Sequence, residues 1–331
     1  MNDRVPANLQ LLNDFQRDFP LVPRPYAAIA ARLGIDEQSV IDAYGAGLAS
    51  GVISRIGAVL APRRLGASTL AAMAVPAHRL EGVAATVGAH ASVNHNYERE
   101  GDWNLWFVVV APDNAGRKAT LDAIARDTGL PVLTLPLVEE YHIDLGFDLL
   151  GGNKRAGRPA MEPAVPGHSS PVDMKLLAAL QDGLPLTQRP YADLGARAGL
   201  SEGITLAQLE AWLRDGLIKR LGVVVHHREL GYTANAMCVW DVPDEQIADL
   251  GRRLAEAPGV TLCYRRQRAL PAWPYNLYCM IHGKQRTDVR TLHALAADRL
   301  DLHRFPSQIL FSRHCFKQCG SRFTRDAEHH E

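Results

Sequence analysis

Between residues 68 and 138 the chain moves back and forth between two hydrophobic periods. "STLAAMAVP" (68–76) alternates apolar and polar positions as a strand does, and "AHRLEGVAATVG" (77–88) spaces its apolar residues three and four apart as a helix does. "ASVNHNYER" (91–99) and "WNLWFVVV" (103–110) alternate again, "GRKATLDAIARDTG" (116–129) returns to the helical period, and "PVLTLPLV" (131–138) closes as a strand. The order βαββαβ predicts an α+β, ferredoxin-like domain. "TANAMCVWDV", "DEQIADLGRRLAEA", "VTLCYRRQR", "YNLYCMIHG", "RTDVRTLHALAADRL" and "FPSQILFS" repeat that order between residues 233 and 312. Ahead of the first domain lie "NLQLLNDFQ", then "PYAAIAARLGI" with a proline fit for a helix start, then "DEQSVIDAYGAGLASGVI" with an acidic first turn. Together they predict a winged helix-turn-helix.

The whole arrangement is written twice. "RPYAAIAARLGI" from Arg24 returns as "RPYADLGARAGL" from Arg189, and "SGVISRIGAVLAPRRLG" from Ser50 returns as "DGLIKRLGVVVHHRELG" from Asp215, both at an offset of 165 (189 − 24 and 215 − 50). A register held that long marks a tandem duplication. "GGNKRAGRPAMEPAVPGHSSP" (151–171) is rich in Gly, Pro and Ser, has no apolar period, and reads as a linker. The expected boundaries are 1–62 and 172–227 for the helix-turn-helix modules, and 63–150 and 228–325 for the ferredoxin-like domains.

Composition narrows the function classes. In 331 residues, 36 Lys and Arg balance 36 Asp and Glu, so nothing in the overall charge draws the chain to nucleic acid or an anionic membrane. No run approaches the ~18 to 20 apolar residues of a bilayer span, and "MNDRVPANLQLLNDF" lacks a signal peptide's apolar stretch, which predicts a cytoplasmic protein with no membrane partner. The five cysteines are odd in number, lie in the C-terminal half and lack C-x-x-C spacing, which argues against a disulfide framework or a zinc site. Cys315 and Cys319 beside His314 come nearest to a ligand spacing, and no resident metal is expected.

Candidate chemistry gathers on the two hairpins. If Gly101 and Asp102 form a two-residue type II′ turn, Arg99 faces Asn104, Tyr97 faces Trp106, and His95 faces Val108. His95, Tyr97, Arg99, Asn104 and Trp106 then share one face, a polar and aromatic floor, while Leu105 and Phe107 line the other, core-facing side. An Arg clamps a carboxylate, a Tyr gives or takes a proton, and a His does either or ligates a metal. The same trio also suits plain cross-strand pairing on an exposed face. In the second copy Tyr264, Arg266 and Asn276 match Tyr97, Arg99 and Asn104, but Leu262 stands where His95 does. The connecting loop "RRQRALPAWP" is five residues longer and sets Arg265, Arg266 and Arg268 beside Trp273 with no acid expected nearby, a set that suits a flat polycarboxylate. His142 in "EEYHIDLGF" follows the last strand of the first copy and is placed to reach the same cavity. His226 and His227 point to opposite faces if extended, so one at most enters a shared site, and His227 is the candidate for substrate contact. Arg55 and Arg220, repeated in register, read as helix-terminal cations or outlying charges and not as catalytic groups.

Helix-turn-helix plus ferredoxin-like domain is the layout of the Lrp/AsnC regulators, which this chain resembles over nearly its whole length. DNA binding is nevertheless not expected. From Ile35 to Arg55 the acids Asp36, Glu37 and Asp42 face Arg55 alone, net −2, and from Ser201 to Arg220 three acids meet three bases. A reader of the major groove brings Arg and Lys to phosphates and guanines. "HNYERE-DWNLWFV", "YRRQR-LP-WPYNLY-M-HG", "VEEYHIDLGFDL" (138–149) and "FSRHCFKQ" together resemble the siroheme decarboxylases, Lrp/AsnC-like proteins of heme d1 biosynthesis and the alternative heme route, in the form that fuses two related subunits. The resemblance implies removal of two acetate carboxyl groups from siroheme to give didecarboxysiroheme and carbon dioxide. It also implies an internal pseudo-dimer, compatible with a homodimer. No cofactor is expected, because the macrocycle that is the substrate serves as its own electron sink. His95, with Tyr97 beside it, is the first choice for proton donor or iron ligand, and His142 is the alternative ligand. The rival class is an Lrp/AsnC-type regulator sensing a tetrapyrrole or an amino acid. The acidic closing segment "VEEYHID" against the basic "SRHCFKQ" implies different roles for the two halves.

Overall fold

The computed structural model describes residues 7–143, 171–226 and 228–320. In the first copy α1 (Ala7–Asp14), α2 (Pro25–Leu33), α3 (Glu37–Ala49), β1 (Ile53–Leu60) and the short α4 (Pro62–Leu65) precede β2 (Ala67–Met73), α5 (Leu80–Ala89), β3 (Val93–Arg99), β4 (Leu105–Ala111), α6 (Asn114–Thr128) and β5 (Leu133–Ile143). In the second, α7 (Pro171–Gln181), α8 (Pro190–Ala198), α9 (Glu202–Arg214) and β6 (Ile218–Val225) precede β7 (Ala234–Trp240), α10 (Ile247–Ala255), β8 (Val260–Arg266), β9 (Leu277–Gly283), α11 (Arg286–Leu300) and β10 (Ser307–Gln318). Like modules group with like. One compact unit takes residues 7–64 and 171–231, the other residues 65–143 and 232–320.

In the helical unit local chemistry acts twice at the same offset. Pro25 and Pro190 start α2 and α8, where a missing N–H costs nothing, and Gly34 (φ 70°) and Gly199 (φ 75°) end them in the left-handed conformation. Asp36 accepts from Ser39 N at 2.9 Å to cap α3, and Ser201 does the same for α9 through Ile204 N. Arg24 pairs with Glu37 and Arg189 with Glu202, so these helix-start acids are engaged within their own modules. β1 and β6 pair antiparallel with Gly57 opposite Gly222. Tyr26 donates across to the Pro185 carbonyl (3.0 Å) and Tyr191 to that of Pro20 (2.9 Å), a reciprocal clamp.

The second unit is a closed barrel in the strand order β10-β3-β4-β2-β5-β8-β9-β7. Each copy forms the expected ferredoxin-like half-sheet, but neither keeps a free inner face: the two faces meet as the lumen. β5 and β10 are longer than the apolar alternation that predicts them. Leu133–Pro136 pair with β2 of the same copy, and Leu137–Ile143 run on beside β8 of the other. Ser307–Phe311 likewise pair with β7 and Ser312–Gln318 with β3. The polar segments expected to follow the last strands are thus the second halves of those strands. Outward residues Ala71, Met73, Leu105, Phe107 and Val109 pack under α5 and α6, and Cys238, Trp240, Cys263, Leu277 and Cys279 under α10 and α11. Inward residues Trp106, Leu135, Met237, Val239, Trp273 and Tyr278 pack against one another.

The first hairpin keeps the expected register, with Tyr97 opposite Trp106 and His95 opposite Val108, but not the expected two-residue turn. Residues 100–104 form a longer loop with Gly101 at φ 107°. Neighbouring strands claim the amides near the turn: Glu100 N donates to Phe311 O (2.9 Å) and Asn104 N to Met73 O (3.2 Å).

Candidate active site in the barrel lumen

β3 presents His95, Tyr97 and Arg99 to the lumen: Asn96 between them turns to the helices, donating to Ala84 O of α5 at 2.9 Å, and a bulge between Val93 and His95 puts Val93 on the helix side as well. His95 and Tyr97 lie side by side with ring centroids 6.4 Å apart and planes 21° from parallel. Tyr97 Oη donates to Gln318 Oε1 of β10 at 2.6 Å. Arg99 is buried; its Nη1 donates to Leu310 O at 3.2 Å and its guanidinium lies 5.6 Å from the Tyr97 ring.

The second half repeats the lower part of this arrangement. Arg266 Nη1 donates to Leu135 O (3.0 Å), and the guanidinium lies 5.2 Å from the Tyr264 ring and 5.9 Å from that of Tyr278. Its Nε–H is buried without an acceptor among the described residues. Burial lowers the Arg266 pKa and raises those of Tyr264 and Tyr278, with the neighbouring guanidinium opposing the rise.

Several expected site residues serve the frame instead. Asn104 accepts from Val75 N and donates to Val75 O, both at 2.9 Å, and Asn276 holds Val242 in the same way at 2.9 and 2.8 Å. Each amide holds the N–H and the C=O of one backbone residue at a strand end, a structural clamp. Trp106 and Trp273 are not a stacking platform: they are 2% and 3% exposed, their rings meet edge-on at 5.1 Å, and Trp273 Nε1 donates to Tyr278 Oη (2.7 Å). They plug the lumen at the hairpin-loop end. The cavity beside them, lined by Gly101, Trp103, Tyr275 and Leu310, measures about 140 Å³, below the ~300 Å³ at which pockets for drug-sized ligands begin.

Nor is the arginine loop without acids. Arg268 reaches Asp241 (2.8 Å) and Asp244 (2.9 Å), and Arg265 reaches Asp244 (3.1 Å), acids more than twenty residues away in sequence. The Arg268 hydrogen bond is the first cause holding the Asp244 carboxyl below its ordinary range. His142 lies within β5, not after it. A bulge between Glu140 and His142 sets it opposite Cys263, whose thiol donates to Gly251 O of α10, and so on the helix-covered side. Lys317 on β10 makes the matching turn, its Nζ donating to Gly88 O at the end of α5 (2.7 Å). His226 Nδ1 lies 2.6 Å from Gly51 O in the helical unit, where Arg220 also donates to Gln16 O (2.8 Å) and Arg55 to Ala58 O (3.2 Å). His227 lies outside the described residues. Among the described residues no three His, Cys, Asp or Glu side chains gather as metal ligands.

The end of the lumen away from the hairpin loops holds groups that sequence did not assign to this site. Gln318 and Cys315 on β10 stand opposite His95 and Tyr97. His282 on β9 shares the inward parity of Tyr278 and Met280, and its Nδ1 lies 3.0 Å from Thr261 Oγ1. Thr261 Oγ1 also lies 3.3 Å from Met280 O. Asn235 and Ser312 bond to each other nearby. The period-2 alternation of "YNLYCMIHG" carries the signal for His282.

Family profiles divide the chain as the structure does. An AsnC-like ligand binding domain matches residues 64–142 and 229–317, and a siroheme decarboxylase NirDL-like HTH domain matches residues 8–53 and 173–219. The siroheme decarboxylase NirDL subunit of Paracoccus denitrificans is 45% identical over 316 residues, covering 95% of this chain and 96% of that protein. The siroheme decarboxylase of Hydrogenobacter thermophilus is 30% identical over 319 residues, covering 95% and 94%. A crystal structure of the siroheme decarboxylase NirDL superposes with a TM-score of 0.71 at 28% identity, covering 96% of this chain and 94% of that one. Another, of NirDL in co-complex with an iron-uroporphyrin III analogue, gives 0.69 at 27% identity. With a duplicated AsnC-like barrel, its helix-turn-helix modules and relatives of one name along almost all its length, the chain belongs to the siroheme decarboxylase family.

Proposed function

We propose that this protein is a siroheme decarboxylase, a carboxy-lyase that removes two acetate carboxyl groups of siroheme to give didecarboxysiroheme and carbon dioxide. The observation that carries the reading is the lumen itself: His95 and Tyr97 lie side by side toward one end, with the Arg99 and Arg266 guanidiniums deeper within. A pyrrole acetate loses carbon dioxide readily once the ring carbon beside it is protonated. The C–C bond then breaks with its electron pair flowing into the macrocycle, and the resulting exocyclic methylene takes a proton to become a methyl as the ring carbon releases one. Each turnover consumes one proton per carbon dioxide released. The macrocycle accepts the electrons, so this route calls on no further electron sink.

His95 is the group suited to deliver that proton, since an imidazole changes charge near neutral pH. Arg266 suits the remaining carboxylates: a desolvated guanidinium with an unsatisfied Nε–H gains a charge-assisted hydrogen bond when one arrives. The names of the relatives support siroheme as substrate. Anaerobic incubation of the whole chain with siroheme, followed by mass spectrometry of the tetrapyrrole, tests the reading. Two successive losses of the mass of carbon dioxide are expected, and proton NMR of the product should show two new ring methyls. An unchanged mass on a tetrapyrrole that stays bound would overturn it in favour of a carrier or sensor.

A further inference from the structure

β10 begins as the closing strand of the second copy, yet its far half completes the first copy's site. Gln318 stands opposite His95 in the β3–β10 ladder, and Tyr97 Oη donates to Gln318 Oε1 at 2.6 Å. A phenol has one proton to give. Once that proton is committed to an amide carbonyl, the oxygen offers only lone pairs to its other neighbours.

The duplication supplies an internal control. In the second half, Tyr264 occupies the place of Tyr97, Leu262 that of His95, and Ile143 stands opposite Leu262 where Gln318 stands opposite His95. The tyrosine is kept in both halves, whereas the histidine and the amide are present together in one and replaced together by aliphatic residues in the other. Gln318 is exposed, so packing does not account for it. Its partnership with Tyr97 has a use where the histidine is.

We propose that Gln318 is a positioning residue of the decarboxylation: it holds the Tyr97 hydroxyl as a hydrogen-bond acceptor toward the side where His95 and the substrate lie. The proton then comes from the imidazole and not from the phenol. The phenol oxygen favours the protonated ring, because a lone pair facing an imidazolium N–H stabilises its charge. This assignment rests on the decarboxylase reading.

Two readouts separate the proposal from that reading. With siroheme as substrate, Gln318→Leu should lower kcat roughly tenfold, the scale of one lost orienting hydrogen bond, with KM little changed. Gln318→Glu keeps the acceptor and should restore kcat to near wild type. Gln318→Lys offers only donors, reverses the phenol and should be as poor as Leu. Without substrate, proteins labelled at tyrosine Cζ should show the Tyr97 resonance, assigned through Tyr97→Phe, moving in Gln318→Leu and returning in Gln318→Glu. Wild-type kcat in Gln318→Leu, equal impairment in Gln318→Glu and Gln318→Leu, or an unmoved Tyr97 resonance would each overturn the proposal. A wild-type protein inert toward siroheme would remove the decarboxylase reading, while the resonance comparison would still decide whether Gln318 orients the phenol.

Discussion

Arg266 is the side chain whose surroundings most call for a ligand. It lies between two tyrosine rings, spends one N–H on a backbone carbonyl, and buries another without an acceptor among the described residues. Replacing its planar fork by a point charge should weaken carboxylate binding more than chemistry, so Arg266→Lys is expected to raise KM about tenfold with kcat within a few-fold of wild type. Steady-state kinetics on siroheme check this; an unchanged KM would place the carboxylates elsewhere. Residue types and parity made Tyr97, Arg99, Tyr264 and Arg266 legible in the sequence, because a strand's faces alternate whatever covers them. Asn104 and Trp106 carried the same signal for a different use. An amide that clamps Val75 and an indole that plugs a lumen depend on neighbours distant in sequence, which period-2 counting does not reveal.

At the scale of elements, exchange of the closing strands was the feature hidden from the sequence. "PVLTLPLV" announces a strand by its alternation, but the continuation "EEYHI" pairs with the other copy across two bulges and loses the two-residue period. His142, expected after the last strand, is thereby inside β5 and turned to the helix side, and Gln318 lies beyond the strand that "FPSQILFS" predicts. The long second hairpin loop was legible as basic, but its acids sit in the segment after β7. There, Arg268 holds the Asp244 carboxyl below its ordinary range. A depressed carboxyl pKa contributes stability that is complete above the unfolded value, about 3.9, and lost as pH falls through the lower folded value. Protection of the Ala269 and Trp273 amides, which bond each other's carbonyls at 2.8 Å, should therefore hold at neutral pH and decline below the ordinary carboxylate range. Hydrogen exchange across that range checks it, and protection that stays level until global unfolding would show that the ion pairs do not hold the loop.

At the scale of the whole molecule, duplication was the clearest message of the sequence, and each module's local rules were readable twice. What could not be read was that like modules join: two strand edges that look free in each copy are consumed in one barrel, and β1 finds its partner in β6. In the helical unit this joining relies on a glycine. A Cβ at Gly222 would lie 2.2 Å from the Gln16 carbonyl oxygen, so Gly222→Ala forces backbone apart and should lower the unfolding midpoint of that unit, while Gly34→Ala, in open space, carries only the strain of its positive φ. Differential scanning calorimetry of both variants tests the comparison, and a Gly222→Ala protein as stable as wild type would contradict it. The barrel, in turn, leaves one end of its lumen packed with aromatic rings and sets His95 toward the other. The central claim is that His95 there protonates the macrocycle, and it is tested most directly by single-turnover mass spectrometry of wild type and His95→Ala with siroheme under anaerobic conditions. The account predicts two losses of carbon dioxide in wild type, and in His95→Ala a bound tetrapyrrole of unchanged mass over the same interval; loss of both carboxyl groups by His95→Ala at the wild-type rate would contradict it.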